Sequence, residues 1–179
     1  MTHAVVDERE FEVIREHVDR TFYLSRQLPD IVFRHLAGPT FFCEYEVVLG
    51  GDFWPALVSL ARLHDDDNIN LFTVDPDPMR YYFREYGDYA CFSLRISASR
   101  EDYWGALAES PSGDPTGAIA FTADMIAITG RSGDWGCWGD RSLGVALFRL
   151  TRGVDWWTHK FGPFLAVGPA IEHFVSQHY

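Results

Sequence analysis

Along residues 7–28 the apolar side chains Phe11, Ile14, Val18 and Phe22 recur at intervals of three and four, while Glu8, Arg9, Glu12, Arg15, Glu16, Asp19 and Arg20 fill the remaining positions. That period predicts an amphipathic helix with one packed and one solvated face. Asp7 is the expected N-cap, with Glu10 three residues on in the capping pattern. Residues 31–36 form a short apolar segment of no assignable type between Pro29-Asp30 and Gly38-Pro39.

Residues 40–49 are aromatic and β-branched and alternate late, which predicts a strand ended by Gly50-Gly51. Asp52 is the expected cap of a second helix carrying Phe53, Ala56, Leu57, Leu60, Ala61 and Leu63, with Pro55 tolerated in its first turn. Asp65, Asp66 and Asp67 oppose the dipole at its C-terminus and stop it. Strands are expected over 70–74 and 89–96, a short helix over 79–86 closed by Gly87, and a helix from Ser99, boxed by Asp102, through Glu109. Residues 110–117, S-P-S-G-D-P-T-G, are turn chemistry throughout. Strands over 118–129 and 143–150 then flank a glycine-rich segment as a long antiparallel hairpin, followed by a helical turn over 155–160 and a last helix opening at Pro169.

These elements assemble into one α+β domain spanning residues 1–179, with a mostly antiparallel sheet of about five strands packed by helices and a C-terminal helix. A parallel doubly wound sheet is disfavoured because the strands lack continuous Val/Ile/Leu runs. A length of 179 residues suits one core, and 47% hydrophobic content with 16% aromatics is that of a folded chain. No 18-residue uncharged apolar stretch is present and residues 1–10 carry no basic and apolar leader pattern, so the expected location is the cytoplasm, off the membrane.

The net charge is −11, and its whole excess lies in residues 1–120, which hold 21 acids against 10 basic groups; residues 121–179 hold 5 of each. Such a surface repels nucleic acid and attracts a basic protein partner, although solubility alone explains it too. Cys43, Cys91 and Cys137 contain no C-x-x-C pair and sit among apolar neighbours, so they read as small buried hydrophobes. The seven histidines show no metal-ligand spacing, and His64 beside three aspartates reads as part of a solvated helix end. Asp66, Asn68, Asn70 and Asp77 imitate calcium-loop positions, but Leu71 stands where glycine is required. No metal or cofactor is expected.

Residues 130–141 read G-R-S-G-D-W-G-C-W-G-D-R, with glycine at 130, 133, 136 and 139. Neither a dinucleotide fingerprint nor a Walker loop fits, and the nucleophile-elbow pattern is incomplete with no helix following. Arg131, Asp134, Trp135, Trp138, Asp140 and Arg141 are therefore the candidate site. In a functional version, an indole stacks on a ligand or partner and an arginine holds an anion. In a structural version, both indoles fold onto the sheet and Asp140 pairs with an arginine, the more economical outcome given how buried tryptophan usually is. The doublets Tyr81-Tyr82 and Trp156-Trp157 cannot bury both members on one face, so one of each can line a pocket or a self-complementary patch, as a scaffold subunit would need.

Three functions remain. The first is a non-enzymatic acidic binding protein, such as an immunity protein or inhibitor that neutralises a basic bacterial toxin or enzyme; Asp65, Asp66 and Asp67 are its further candidate contacts. The second is a small-molecule binding domain or enzyme with a pocket at the Trp135/Trp138 turn. The third is the scaffold.

Overall fold

The computed structural model describes residues 7–162 and 164–166. The first helix, α1 (Glu8–Thr21), begins as the sequence predicts, with the Asp7 carboxylate accepting from the Glu10 N–H at 2.8 Å. It ends seven residues earlier than its apolar period suggests. Phe22 turns extended and bridges Phe33, while the Tyr23 N–H donates to the Val32 carbonyl, so residues 22–36 fold back as an irregular hairpin.

Strand β1 (Phe41–Glu44) is shorter than expected because the chain coils at Tyr45 into the turn α2 (Tyr45–Val48). The cause is Tyr45 itself, which is buried and donates its hydroxyl to the Ala123 carbonyl at 2.7 Å. Helix α3 (Trp54–Leu63) follows a 3-10 turn, and Asp52 does not cap it but reaches out to Arg100 at 3.0 Å. Strand β2 (Asn68–Asp75), a π-helical turn (Pro78–Phe83) running into α4 (Arg84–Tyr86), and strand β3 (Cys91–Arg95) come next. Helix α5 (Arg100–Ala108) carries both halves of the Ser99/Asp102 capping box. After two 3-10 turns come α6 (Ile119–Thr122), β4 (Met125–Gly130), β5 (Trp135–Asp140), β6 (Val145–Leu150), α7 (Val154–Phe161) and the short β7 (Leu165–Ala166). The helix expected from Pro169 lies outside the described residues.

All paired strands are antiparallel, in the order β3-β2-β4-β5-β6-β1-β7, so the fold is α+β. Six strands of four or more residues form the sheet, with β7 a two-residue addition at its edge; the expected count was five. The extra strand is the glycine segment. What the sequence offers as a connection is a central strand, β5, paired on both sides. Glycine belongs there for space rather than for a turn: a Cβ at Gly136 would lie 2.6 Å from the Phe22 ring, and one at Gly139 2.8 Å from Tyr45. Only Gly133, at φ +74°, serves the turn between β4 and β5.

Helices cover both faces of the sheet. On one, α3, α5 and Trp157 of α7 pack on Ile69, Leu71, Ile126, Ile128, Cys137 and Phe148. On the other, α1 and the 22–36 hairpin pack on Phe72, Cys91, Ala127 and Trp138. The second face is not uniformly apolar. Register places Ser93, Asn70 and Thr129 in one row across β3, β2 and β4, and Cys91, Phe72 and Ala127 in a parallel one. A polar row thus runs beneath α1 beside an apolar row.

Candidate functional site

Trp135 and Trp138 lie three apart on one strand, so their side chains leave opposite faces of the sheet. Both are fully buried. Trp138 packs on Phe22, and its indole N–H finds no partner among the described residues. Trp135 belongs to the opposite core and donates its Nε1–H to Asp66 at 2.9 Å. Neither ring is open to stack a ligand.

The remaining sequence candidates separate toward the two ends of β5, about 17 Å apart at the usual strand rise. At the far end, Asp140 does not pair with an arginine as the structural version expects. Its carboxylate accepts from the Ser142 hydroxyl at 2.7 Å and the Leu143 N–H at 3.2 Å, which closes the β5–β6 turn. Arg141 instead donates to the carbonyls of Ala120 and Phe121, lies over the Tyr45 ring, and approaches Glu46 at 3.6 Å. Both are committed to structure.

At the near end, Asp66 organises the β4–β5 turn. Although only 4% exposed, its carboxylate accepts three bonds: the Ser132 N–H at 2.7 Å, the Ser132 hydroxyl at 2.8 Å and the Trp135 indole. This satisfies a buried charge that would otherwise be costly. A Cβ at Gly130 would collide with that carboxylate, which explains glycine at the end of β4. The same turn presents Asp134 to solvent.

Beside this turn, against α1, lies a cleft of about 330 Å³. Helix α1 supplies Glu10, Val13, Ile14 and His17 as one wall, and Asp65, Asp66 and Asp67 form another. Asn70 and Ser93, from the polar row, line its floor, and Arg131 stands exposed at its mouth. The structure therefore brings Asp65, Asp66, Asp67 and Arg131 together, and leaves Trp138, Asp140 and Arg141 elsewhere. Asp65 is tied to Arg152 at 2.8 Å, whereas Glu10, Asp67 and Arg131 have no ion pair among the described residues. Farther along α1, Glu12, Glu16 and Asp19 pair with Arg15, Arg20 and Arg34. Of the α1 carboxylates, Glu10 is the one that lines the cleft, and it has no ion pair among the described residues.

Glu10, His17, Asn70 and Ser93 are site residues that motif reading misses. Signals for two of them exist: Asn70 interrupts the apolar run N-I-N-L-F-T-V, and His17 stands next to Val18 on the apolar stripe of α1. Asn70 is 2% exposed and its Nδ2 contacts His17 Nδ1 at 3.4 Å. Burial, and then the positive charges of Arg20 and Arg131, lower the His17 pKa below its usual value, keeping the ring neutral near pH 7. His64 is not a solvated helix end. It is 3% exposed, with Nδ1 bonded to the Leu60 carbonyl at 2.9 Å, because α3 closes onto the core before the chain turns outward at Asp65.

The cysteines offer no nucleophile. Burial pushes the Cys43 thiol up to about 12 and raises those of Cys91 and Cys137 as well, so all three favour the thiol over the thiolate. Among the described residues no group of three or more His, Cys, Asp or Glu side chains is arranged so that it could hold a metal ion. A larger groove of about 530 Å³ lies between α3 and α7, where Trp156 is 51% exposed beside Lys160 while Trp157 is buried. It holds no carboxylate among its lining residues and lies apart from the acidic turn. No described helix is long and apolar enough to cross a membrane. No family model, no curated protein and no solved structure matches the chain.

Proposed function

We propose that this chain is a non-enzymatic acidic binding protein that neutralises a basic bacterial protein, in the manner of an immunity protein or enzyme inhibitor, within the cytoplasm. The observation that carries this reading is the convergence of Glu10, Asp65, Asp66 and Asp67 on one cleft, with Glu10 and Asp67 free of ion pairs among the described residues. Unpaired carboxylates beside one another raise the local negative potential and steer a cationic surface to that end of the molecule. Burial of both indoles removes the stacking surface on which the small-molecule alternative depends.

The test is capture of basic proteins from a bacterial lysate on the immobilised chain, side by side with a Glu10→Lys/Asp67→Lys double variant, at about 0.15 M salt, where long-range charge effects are already screened. The expected result is one defined basic protein retained by the wild type and lost by the variant. Equal retention by both, or only a diffuse set removed by salt, overturns the reading.

A further inference from the structure

The floor of the acidic cleft holds a polar group with unused capacity. Asn70 lines the cleft at 2% exposure, and its amide can make four hydrogen bonds, two as donor and two as acceptor. Among the described residues it makes a single one, the 3.4 Å contact to His17, and its carbonyl oxygen accepts none. Its cross-strand neighbour Ser93 also lines the cleft, and the Ser93 hydroxyl makes no bond among the described residues. The third member of the row, Thr129, is by contrast fully used, donating to the Trp135 carbonyl at 2.7 Å and meeting Thr21 at 3.3 Å. The polar row is thus closed under the hairpin and open only where it meets the cleft.

We infer that this cleft receives one arginine side chain of the basic partner, its guanidinium set on the Asn70 amide oxygen and between the carboxylates of Glu10 and Asp67. The inference rests on the binding function proposed above and names the group that function recognises. Four observations select the occupant. The free acceptors stand on the floor and on two walls, which suits the planar fork of five N–H donors on guanidinium better than the compact point charge of an ammonium. Val13 and Ile14 give the aliphatic stem an apolar wall. Carboxylates outnumber cations in the lining, so an anion is repelled. His17, held neutral, adds no opposing charge. Arg131 is the exception: its guanidinium stands at the mouth and opposes entry of a second cation.

The experiment uses ¹⁵N-labelled protein and three probes: the acetylated amides of arginine, lysine and glutamic acid. The reporters are the Trp135 indole N–H, bonded to the carboxylate that borders the cleft, and the Asn70 side-chain amide. Expected are saturable shifts with the arginine amide, at a dissociation constant on the order of 1 mM, binding at least about fivefold weaker for the lysine amide, and none for the glutamic acid amide. Asn70→Leu abolishes the shifts of the indole. Since a change within a buried strand can unsettle the sheet, Asp67→Asn on the exposed rim is the second variant, expected to weaken the arginine amide severalfold with the spectrum otherwise unchanged. Arg131→Gln is expected to tighten it severalfold. No saturable shift up to about 50 mM arginine amide, equal affinity for the lysine amide, or weaker binding in Arg131→Gln overturns the inference. The two readings fail separately. A captured basic protein that ignores Asn70→Leu and Asp67→Asn leaves the binding function standing without the arginine cleft, whereas arginine amide bound at the reporters with no basic protein captured does the reverse.

Discussion

Trp135 and Trp138 are the same residue on the same strand, equally buried, and differ in what the indole N–H meets. One donates to Asp66; the other finds no partner among the described residues. Replacing each by phenylalanine removes similar volume, so the difference between the two costs isolates the hydrogen bond. Trp135→Phe is expected to be the more destabilising by about 1–2 kcal/mol, because it strips a donor from a buried carboxylate, and the comparison is read from urea unfolding midpoints at constant slope. Equal costs would mean that the two Ser132 bonds satisfy Asp66 alone. None of this could be read along the chain, where W-G-C-W presents the two rings as equivalent. Which ring faces the acidic turn is set by strand parity, and parity has meaning only once the segment is known to be a strand.

At the scale of elements, the glycine segment is the largest departure from expectation. Four glycines in ten residues read as a folded connection, yet β5 is a central strand. The physical reason is long-range: Gly136 and Gly139 leave room for Phe22, from the end of α1, and Tyr45, from α2. A signal was present, since R-S-G-D at 131–134 and R-S-L-G at 141–144 are two turn-like tetrads bracketing six residues, an ordinary strand length. Gly136→Ala is expected to cost about 1–3 kcal/mol by overpacking against Phe22. In a double-mutant cycle with Phe22→Leu, which shortens the ring side chain, the two changes should couple favourably by about 1 kcal/mol; strict additivity would show that the glycine serves the backbone instead. Elements with a local cause were legible. The Asp7 cap, the Ser99/Asp102 box, Pro55 in a first turn and Gly87 at φ +69° all depend on residues within a few positions of one another.

For the whole molecule, the cleft couples stability to pH through His17. Its pKa is lowered in the fold, first by burial and then by Arg20 and Arg131, while the unfolded chain takes up the proton near 6.5. Well above that value the ring is neutral in both states and contributes no pH dependence. As the pH falls below that value the unfolded chain binds the proton first, so stability drops until the folded value is passed. Asp75 and Asp88 act in the opposite sense within the carboxylate range: burial raises both pKa values, so they protonate first in the folded state and relieve a penalty present at neutral pH. His17→Asn, which keeps an amide facing Asn70, should therefore flatten the decline in stability between about pH 7 and pH 5. An unchanged slope would assign that decline to other groups.

The amino-acid sequence by itself determined the class of the molecule: α+β, an acidic surface, three cysteines among apolar neighbours, and elements with a local cause such as the start of α1, helix α5 and the Gly87 turn. These properties are local or compositional, and neighbouring residues suffice to produce them. Only the tertiary structure decided that the glycine segment is a strand, that its two indoles part to opposite cores, and that Asp66 turns inward while Asp65 and Asp67 turn out. It alone brought Glu10, His17, Asp67, Asn70, Ser93 and Arg131 to one cleft. Residues up to 121 positions apart become neighbours there through antiparallel register and the packing of α1 across three strands. Such contacts depend on which strand pairs with which, and no pattern within a single element carries that information.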